Sequence, residues 1–300
     1  MILLHFLAAH RTPFLDAFFL VVSEIGRGYI ILALGAAILW LASPRIGYRA
    51  FFGTLAADIL CDAIKALARV PRPWILDPTL SPVHAASATI TSYSFPSGHA
   101  TAFTAFLLIL AASLPAPPRR RALVAASVRS LLMAFSRLYL GVHTPADVSV
   151  GLLIAATAAW LTTRLAPRIE TSPRARTIAS LSLLLAVAAL WIAFTFIPPP
   201  PDNPQYAKSL FRGLCALLAL LPSALLERRY VKHDPAALPP AYRLPIILLG
   251  LWGLLFAVNN LPLLLRPALG PVLSGNLSAA ANPFFIALLY PLLLLPLRRS

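Results

Sequence analysis

Three groups of polar residues interrupt an otherwise apolar chain, and each holds cationic or histidine side chains at short spacing. They begin at Lys65, Pro96 and Ser136, and they read KALARVPRP, PSGH and SRLYLGVHTPAD. Charged and titratable groups are costly in apolar segments, so their presence favours a functional site. The chemistry open to them depends on the helix ends that they occupy.

The first group combines Lys65 and Arg72 with two prolines. Pro71 and Pro73 end a helix and force an extended chain, so Lys65 lies in the last helical turns and Arg72 lies beyond them. Both cations are then placed to bind an anion at the end of the helix. Taken alone, the group also fits a pair of long side chains that snorkel to the membrane surface.

The second group, residues 96–99, predicts the start of a helix with Ser97 as its N-terminal cap. Free backbone N–H groups at such an end form an anion site, and Gly98 lets the backbone come close to a ligand. His99 then lies in the first turn, beside any bound anion. The alternative is an ordinary cap followed by an interfacial histidine.

The third group places Arg137 at the end of one helix and Asp147 in the first turn of the next. Thr144 is predicted to cap that second helix, with Pro145 at its first position. His143 precedes Asp147 by four residues, so the carboxylate can accept a hydrogen bond from one ring nitrogen while the other faces outward as a nucleophile. A capping aspartate beside a surface histidine is the alternative, but it leaves Arg137 unexplained.

Together the three groups supply three cations, a helix N-terminus, a histidine with an orienting acid, and a second histidine. Phosphoryl transfer requires this set, because it depends on positioning, charge neutralisation, attack and protonation of the leaving group. The sequence has no carboxylate cluster or Cys/His spacing typical of a metal site. We therefore expect no metal and no cofactor.

The elements that position these residues are predicted to be transmembrane helices. The chain is 59% hydrophobic and 12% charged, about half the charge of an average soluble domain. The apolar runs are long enough to span a bilayer, and no alternating barrel pattern occurs. We predict an all-α bundle of about nine spans, with an interfacial helix at 12–24 and spans at about 26–42, 49–67, 98–114, 122–140, 147–165, 176–196, 209–226, 243–259 and 279–297.

Basic residues predict the orientation of this bundle. The loops 43–49, 115–121, 164–176 and 227–243 and the tail after residue 297 carry 15 of the 25 Lys and Arg residues. By the positive-inside rule this face and the C-terminus are cytoplasmic, and the three polar groups lie on the outer face. The net charge of +15 is thereby explained without a nucleic-acid partner. Lysine is rare among the basic residues, which favours a bacterial source. In a bacterium the membrane would be the inner membrane, and the outer face that carries the three polar groups would be its periplasmic side.

The unusual polar residues all precede residue 170. We therefore predict a core at 1–170, with its first five to six spans around the site, and a C-terminal transmembrane extension at 171–300 of unassigned role. Asp58 and Asp62 share a helical face with Lys65. We expect these carboxylates to hold the lysine in place, the alternative being that they face a polar cavity.

At these residues the chain resembles the type 2 phosphatidic acid phosphatase superfamily, in particular its bacterial membrane members. The three motifs of that family, K-x6-R-P, P-S-G-H and S-R-x5-H-x3-D, match at Lys65 to Pro73, Pro96 to His99 and Ser136 to Asp147. The resemblance covers roughly residues 12–165. It implies that His143 is the nucleophile, that Asp147 orients it, and that His99 protonates the leaving oxygen. The resemblance further implies a phosphate site made of Lys65, Arg72, Ser97, Gly98 and Arg137.

The expected function is thus hydrolysis of a lipid phosphate monoester or pyrophosphate in the bilayer, through a phosphohistidine and without metal. One alternative is a lipid phosphotransferase, in which an alcohol rather than water takes the phosphate from His143. A lipid transporter or flippase is a more distant alternative. It would require charges or broken helices near the midplane of both halves, and the second half lacks such charges.

Overall fold

The structure is a computed structural model that describes the whole chain except residues 89, 202, 204 and 298–300. The described residues form helices and no strands, as the sequence predicted. Two π-helical turns (Glu227–Val231, Phe285–Leu289) and two 3-10 turns (Pro235–Ala237, Leu295–Leu297) accompany thirteen α-helices. These are α1 Ile2–Ala9, α2 Pro13–Ile25, α3 Gly28–Leu41, α4 Pro44–Ala68, α5 Pro73–Leu76, α6 His84–Ser87, α7 Gly98–Ser113, α8 Pro118–Tyr139, α9 Pro145–Thr171, α10 Pro173–Phe196, α11 Lys208–Leu226, α12 Pro240–Phe284 and α13 Tyr290–Leu293.

Proline fixes where most of the longer helices begin. Seven of the described helices start at a proline, where the missing N–H is no loss and the fixed φ suits a helix. As a result α4, α8 and α10 start at Pro44, Pro118 and Pro173, inside stretches that the sequence predicted as loops. The basic ends of these helices are therefore helical extensions of the apolar segments.

In the described part of the chain, five helices are long and apolar enough to cross a membrane, and the number rises to six if α2 and α3, bent by 50°, form one broken span. The five are α8, α9, α10, the run Lys208–Val231 and the run Pro240–Leu293. These helices are typical of a multi-pass membrane protein, but the count of nine spans is not confirmed. The segment predicted at 26–42 is only 14 residues long as α3, and α7 is also short.

The segment 260–278, predicted to connect two spans, is helical on both sides of Gly270, where two helices meet at a kink. The segment contains Pro262, Pro267, Gly270 and Pro271. Prolines are tolerated inside apolar helices when neighbouring groups satisfy the freed carbonyls. The helical backbone is interrupted only at Gly270, whose φ is +73° and ψ is 172°.

Contacts divide the chain into two compact units. Unit 1 comprises Met1–Ile31, Gly53–Arg164 and Ile197–Leu210, and unit 2 comprises Leu32–Phe52, Leu165–Phe196 and Phe211–Ser300. Unit 1 contains all eight residues of the predicted site. It also includes Ile197–Leu210, a segment that the sequence assigned to the extension. The division into functional regions at residue 170 stays a prediction.

Unit 2 holds a cluster of buried polar side chains that the sequence did not predict. Glu227 is buried and accepts hydrogen bonds from Tyr48 Oη at 3.1 Å and from the His233 backbone N–H at 2.6 Å. The His233 ring is bonded to the Trp40 carbonyl at 2.8 Å, and the Trp40 indole donates to the Ile286 carbonyl at 2.9 Å. We call these four side chains (Trp40, Tyr48, Glu227 and His233) the unit 2 polar cluster.

Candidate active site

Close packing of α7 against α9 brings the second and third sequence groups together. A Cβ at Gly151 would lie 2.9 Å from the Ser97 carbonyl and 3.0 Å from Thr101 Oγ1, so only glycine permits this approach. The Thr101 hydroxyl donates to the Gly151 carbonyl at 3.2 Å, and the Ser97 N–H donates to the Asp147 carbonyl at 3.0 Å. The start of α7 is therefore fixed beside the start of α9.

The end of α8 directs the chain from Arg137 to His143. Gly141 has a φ of +74°, its N–H donates to the Leu138 carbonyl, and the Val142 N–H donates to the Arg137 carbonyl. This pair of bonds around a left-handed glycine is a Schellman motif, which ends a helix sharply. His143 follows at once and is buried.

A reciprocal cap at the start of α9 positions Asp147. The Asp147 N–H donates to Thr144 Oγ1 at 3.3 Å, and the Thr144 N–H donates to Asp147 Oδ2 at 2.7 Å. This is the capping-box arrangement, with aspartate in place of the more usual glutamate. The predicted cap at Thr144 is confirmed, and the cap itself holds the carboxylate beside His143.

His143 lies between an acid and a cation. Its Nδ1 is 3.3 Å from Asp147 Oδ2, and its Nε2 is 3.1 Å from Arg72 Nη1. Because a guanidinium can only donate, Nε2 must be the acceptor, which places the ring proton on Nδ1, facing the carboxylate. The lone pair of Nε2 therefore faces the cations.

Asp147 has a further partner that the sequence did not indicate. Ser94, which is fully buried, donates through Oγ to Asp147 Oδ2 at 2.6 Å. The same carboxylate oxygen thus accepts bonds from a hydroxyl, a backbone amide and an imidazole. Nothing in the spacing around Ser94 could have identified it, because this contact joins residues 53 positions apart.

Arg72 is held from three sides by neutral oxygen atoms. Its Nε and Nη2 donate to the Ser92 carbonyl and hydroxyl at 2.8 and 3.0 Å, and Nη1 also donates to the Val142 carbonyl at 2.9 Å. These bonds fix the guanidinium against His143. Burial is the main cause that lowers the pKa of Arg72 to about 10, and the Asp147 charge opposes it. The guanidinium is still cationic at neutral pH.

Lys65 and Arg137 are also buried. Lys65 Nζ donates to the Pro96 carbonyl at 2.7 Å and to the Tyr93 carbonyl at 3.4 Å. Its hydrogen-bond partners are thus carbonyls. Asp58 and Asp62, which were expected to hold the lysine in place, interact with its charge but make no hydrogen bond to it among the described contacts. Arg137 Nη1 donates to Ser23 Oγ of α2, another contact that sequence spacing could not reveal.

The start of α7 presents groups that have no partner in the described part of the protein. Ser97 is at the N-cap position as predicted, but its side chain makes no cap bond, and its buried hydroxyl has no hydrogen-bond partner. A Cβ on Gly98 would meet no atom within 4 Å, so the backbone faces open space there. The half-buried His99 is close enough to Lys65, Arg72 and Arg137 for electrostatic interaction.

The arrangement carries an excess of buried positive charge. In the described residues, no carboxylate lies within ion-pair distance of Lys65, Arg72 or Arg137, and Arg137 Nε has no hydrogen-bond partner. Buried charges are stable only when they are paired and bonded. A bound dianion would supply the missing negative charge.

The same cations keep the imidazole of His143 neutral. Burial, assisted by the charges of Arg72, Arg137 and Lys65 and by His99, lowers the pKa of His143 well below its ordinary value of 6.5. A neutral imidazole is the form that can act as a nucleophile. The structure thus brings the predicted residues into one region of unit 1 and adds Ser23, Ser92 and Ser94 as their partners.

Comparison with known proteins agrees with the sequence motifs. The model of the PAP2 superfamily matches residues 47–170. The decaprenylphosphoryl-5-phosphoribose phosphatase of Mycobacterium tuberculosis is 39% identical over 133 residues, which cover 43% of this chain and 67% of the relative. The protein of the same name in Mycolicibacterium smegmatis is 33% identical over 128 residues, covering 43% of this chain and 64% of the relative.

An archaeal relative carries a different name. The undecaprenyl-diphosphatase of Sulfolobus acidocaldarius is 26% identical over 152 residues, which cover 50% of this chain and 70% of the relative. No solved structure gives a significant match. These relatives are lipid phosphatases, and their matches cover at most half of this chain.

Proposed function

This chain belongs to the PAP2 superfamily, and from this premise we propose that it is an integral membrane phosphatase that hydrolyses a lipid phosphate through a phosphohistidine. The observation that supports the proposal most strongly is the geometry at His143. One ring nitrogen faces Asp147 and the other faces Arg72, within a group of buried cations that form no ion pair among the described residues. A substrate phosphate would supply the opposite charge.

In the first step His143 Nε2 attacks phosphorus and the bond to the lipid oxygen breaks. Arg72, Lys65 and Arg137 neutralise the charge on the phosphoryl oxygens, with the Ser97 hydroxyl and the Gly98 amide as further donors. His99 gives its proton to the leaving oxygen, and the bound phosphate favours the protonated imidazole by attraction. Asp147 accepts from Nδ1 and so stabilises the positive charge that develops on the ring of His143.

In the second step water attacks phosphorus and the phosphorus–nitrogen bond breaks. His99, now neutral, takes a proton from the water, and His143 returns to its neutral form. Inorganic phosphate leaves. The same residue thus serves as acid and then as base.

We propose a polyprenyl-linked phosphate or diphosphate as the substrate class. The names of the mycobacterial and archaeal relatives support this choice, since one describes a decaprenyl-linked sugar phosphate and the other an undecaprenyl diphosphate. The positive-inside pattern supports a site on the outer, periplasmic face of the inner membrane and a cytoplasmic C-terminus. Two of the arginines behind that assignment, Arg298 and Arg299, lie outside the described residues.

The proposed chemistry is independent of metal, because cationic side chains and amides take the place of metal ions around the phosphoryl group. We expect EDTA to leave the rate unchanged. Loss of activity that Mg²⁺ restores would contradict this part of the proposal.

The test is phosphate release by the detergent-purified protein, with EDTA present, from a panel of lipids. The panel contains decaprenylphosphoryl-5-phosphoribose, undecaprenyl diphosphate, phosphatidic acid and phosphatidylglycerol phosphate, and His143→Ala is the control. We expect the wild type to cleave at least one polyprenyl substrate and the variant to cleave none. Equal release by both would contradict the mechanism.

The alternative acceptor is tested in the same assay. An alcohol added at increasing concentration competes with water for the phosphohistidine. If the phosphorylated alcohol replaces free phosphate as the main product, the protein is a phosphotransferase that uses the same intermediate. We expect free phosphate to dominate.

A further inference from the structure

The segment between α10 and α11 lies after the residues that match the PAP2 model, yet it belongs to unit 1. Its described residues form a closed loop. The Tyr206 hydroxyl donates to the Ile197 carbonyl at 3.0 Å, and backbone bonds join Asn203 to Pro200 and Tyr206 to Asn203. Prolines in this loop restrict φ and favour a stiff segment.

Two side-chain contacts join this loop to the loop that carries Arg72. Arg69 Nη2 donates to the Pro198 carbonyl at 3.2 Å, and the guanidinium of Arg69 lies 5.1 Å from the centre of the Tyr206 ring. Arg69 has a φ of +50°, a conformation that few residues other than glycine adopt without cost. Its backbone ends α4, while its side chain points to the loop at 197–206.

A third contact joins the loop to the other side of the site. The Asn203 side-chain amide donates to the Thr91 carbonyl at 3.1 Å. The next residue, Ser92, provides the carbonyl and hydroxyl that hold Arg72. Inside, the Ser94 N–H donates to the Val70 carbonyl at 2.8 Å, and so the two loops at 69–72 and 91–94 are bonded to each other as well.

We propose that the loop at 197–206 is a brace, defined by Pro198, Asn203 and Tyr206, that positions Arg72 against His143 by tying together the loops at 69–72 and 91–94. Arg69 and Asn203 are positioning residues and do not touch the substrate. The inference rests on the proposed function in one respect, namely that Arg72 binds the phosphoryl group. It assigns a role to a segment of the predicted extension.

Two variants remove the brace contacts without disturbing the folded backbone. Arg69→Gly deletes the side chain at a position where glycine adopts the positive φ more easily, and Asn203→Ala deletes one amide. Arg129→Ala is the matched control, since Arg129 is exposed and, among the described residues, its side chain bonds only to the Ala125 carbonyl of its own helix. It removes a charge without touching either loop.

We expect each brace variant to lower kcat/KM by about tenfold or more, because small misplacements of a binding group have large effects on rate. Inhibition by inorganic phosphate should weaken in parallel, since Arg72 contacts the phosphate itself. Arg129→Ala should match the wild type in both measurements. Brace variants whose kcat/KM and phosphate inhibition equal those of the wild type would overturn the inference. If His143→Ala is inactive in the same experiment, the proposed function is not affected by that result.

The acid limb of the pH profile separates a positioning role from simple loss of folded protein. The groups that act on His143 are Arg72, Arg137, Lys65, His99 and Asp147. If Arg72 moves away, one of the charges that lowers the pKa of His143 is weakened, so the limb should shift to higher pH. A lower rate with an unshifted limb would count against the brace.

Hydrogen exchange provides a readout that needs no substrate. The Ser94 amide is bonded to Val70, and we expect it to exchange faster in Arg69→Gly and Asn203→Ala than in the wild type or Arg129→Ala. Unchanged exchange would overturn the brace even if no panel lipid were cleaved. A lack of cleavage by the wild type, with faster exchange in the variants, would instead contradict only the proposed function.

Discussion

Each of the two units contains a cluster of buried polar side chains, and the clusters differ in how their hydrogen-bonding groups are used. In the unit 2 polar cluster, the Glu227 carboxylate meets two donors, and the ring nitrogens of His233 and Trp40 reach backbone carbonyls. In the site of unit 1, Arg137 Nε and the Ser97 hydroxyl have no partner in the described part of the protein.

This difference separates a structural polar cluster from a binding site. Leaving a buried donor unpaired costs about 1–3 kcal/mol, and a protein tolerates this cost where a ligand completes the bonds. The unit 2 cluster is completed by the protein itself and therefore contributes to stability. The site in unit 1 would be completed by the phosphate that we propose it binds.

The largest expected difference between the clusters concerns their buried histidines. His143→Ala removes the proposed nucleophile, so phosphate release should fall by about 10⁴-fold or more. His233→Ala removes a bond to the Trp40 carbonyl and should lower the melting temperature, with kcat per folded molecule nearly unchanged. Phosphate-release assays and thermal unfolding in detergent measure both effects. A His233 variant that folds normally but is inactive would break the comparison.

Neutralising one buried charge in each cluster should change stability in opposite directions. Arg137→Met replaces an unpaired cation by an apolar side chain of similar length, which should abolish turnover while leaving stability unchanged or raising it by about 1–4 kcal/mol. Glu227→Gln leaves at least one donor without its acceptor and should cost about 1–3 kcal/mol. Chemical unfolding curves for both variants test the signs. If Arg137→Met lost as much stability as Glu227→Gln, the charge of Arg137 would be compensated by the protein itself, without a ligand.

A smaller effect is expected at Ser94. Ser94→Ala removes one of the donors to Asp147 Oδ2 and leaves the Thr144 amide and His143. We expect kcat to fall by about tenfold, which corresponds to about 1.4 kcal/mol, with little change in KM because the hydroxyl does not contact the phosphate. Steady-state kinetics on the preferred lipid provide the measurement. Ser94→Thr, which keeps the hydroxyl, is the control.

The smallest expected effect concerns acid pH. Because burial and the cations lower the pKa of His143 below 6.5, the ring stays neutral and reactive as the pH falls past that value. The acid limb of kcat/KM, which reports the free enzyme, should therefore lie below pH 6.5. A limb attributable to His143 at or above pH 6.5 would indicate that the cations do not act on the ring in this way.

Much of the site could be predicted from the sequence because its key relationships are local. Thr144 and Asp147 are three residues apart and form their cap within one helical turn. His143 and Asp147 meet for the same reason. Lys65 and Arg72 flank a helix end that is determined by Pro71 and Pro73. The length of the apolar segments predicted the all-α fold class.

The sequence was less informative about where helices end in apolar regions. Residues 260–278 contain prolines and a glycine that suggest a loop, yet the segment is helical on both sides of Gly270, where a kink separates two helices. A proline signal is ambiguous in such a segment, because neighbouring helices can satisfy the carbonyl that proline leaves free. The five or six helices that qualify among the described residues do not confirm the nine spans predicted from the sequence.

The sequence by itself determined the chemistry available to this protein: an imidazole with an acid four residues away, three cations and a helix start, all in an apolar all-α chain. Only the tertiary structure decided which atoms meet. Ser94 reaches Asp147, Ser23 reaches Arg137, and Asn203 reaches Thr91 across 53, 114 and 112 residues. Such contacts depend on how helices pack, as at Gly151 against Ser97. The spacing of residues along the chain does not predict that packing.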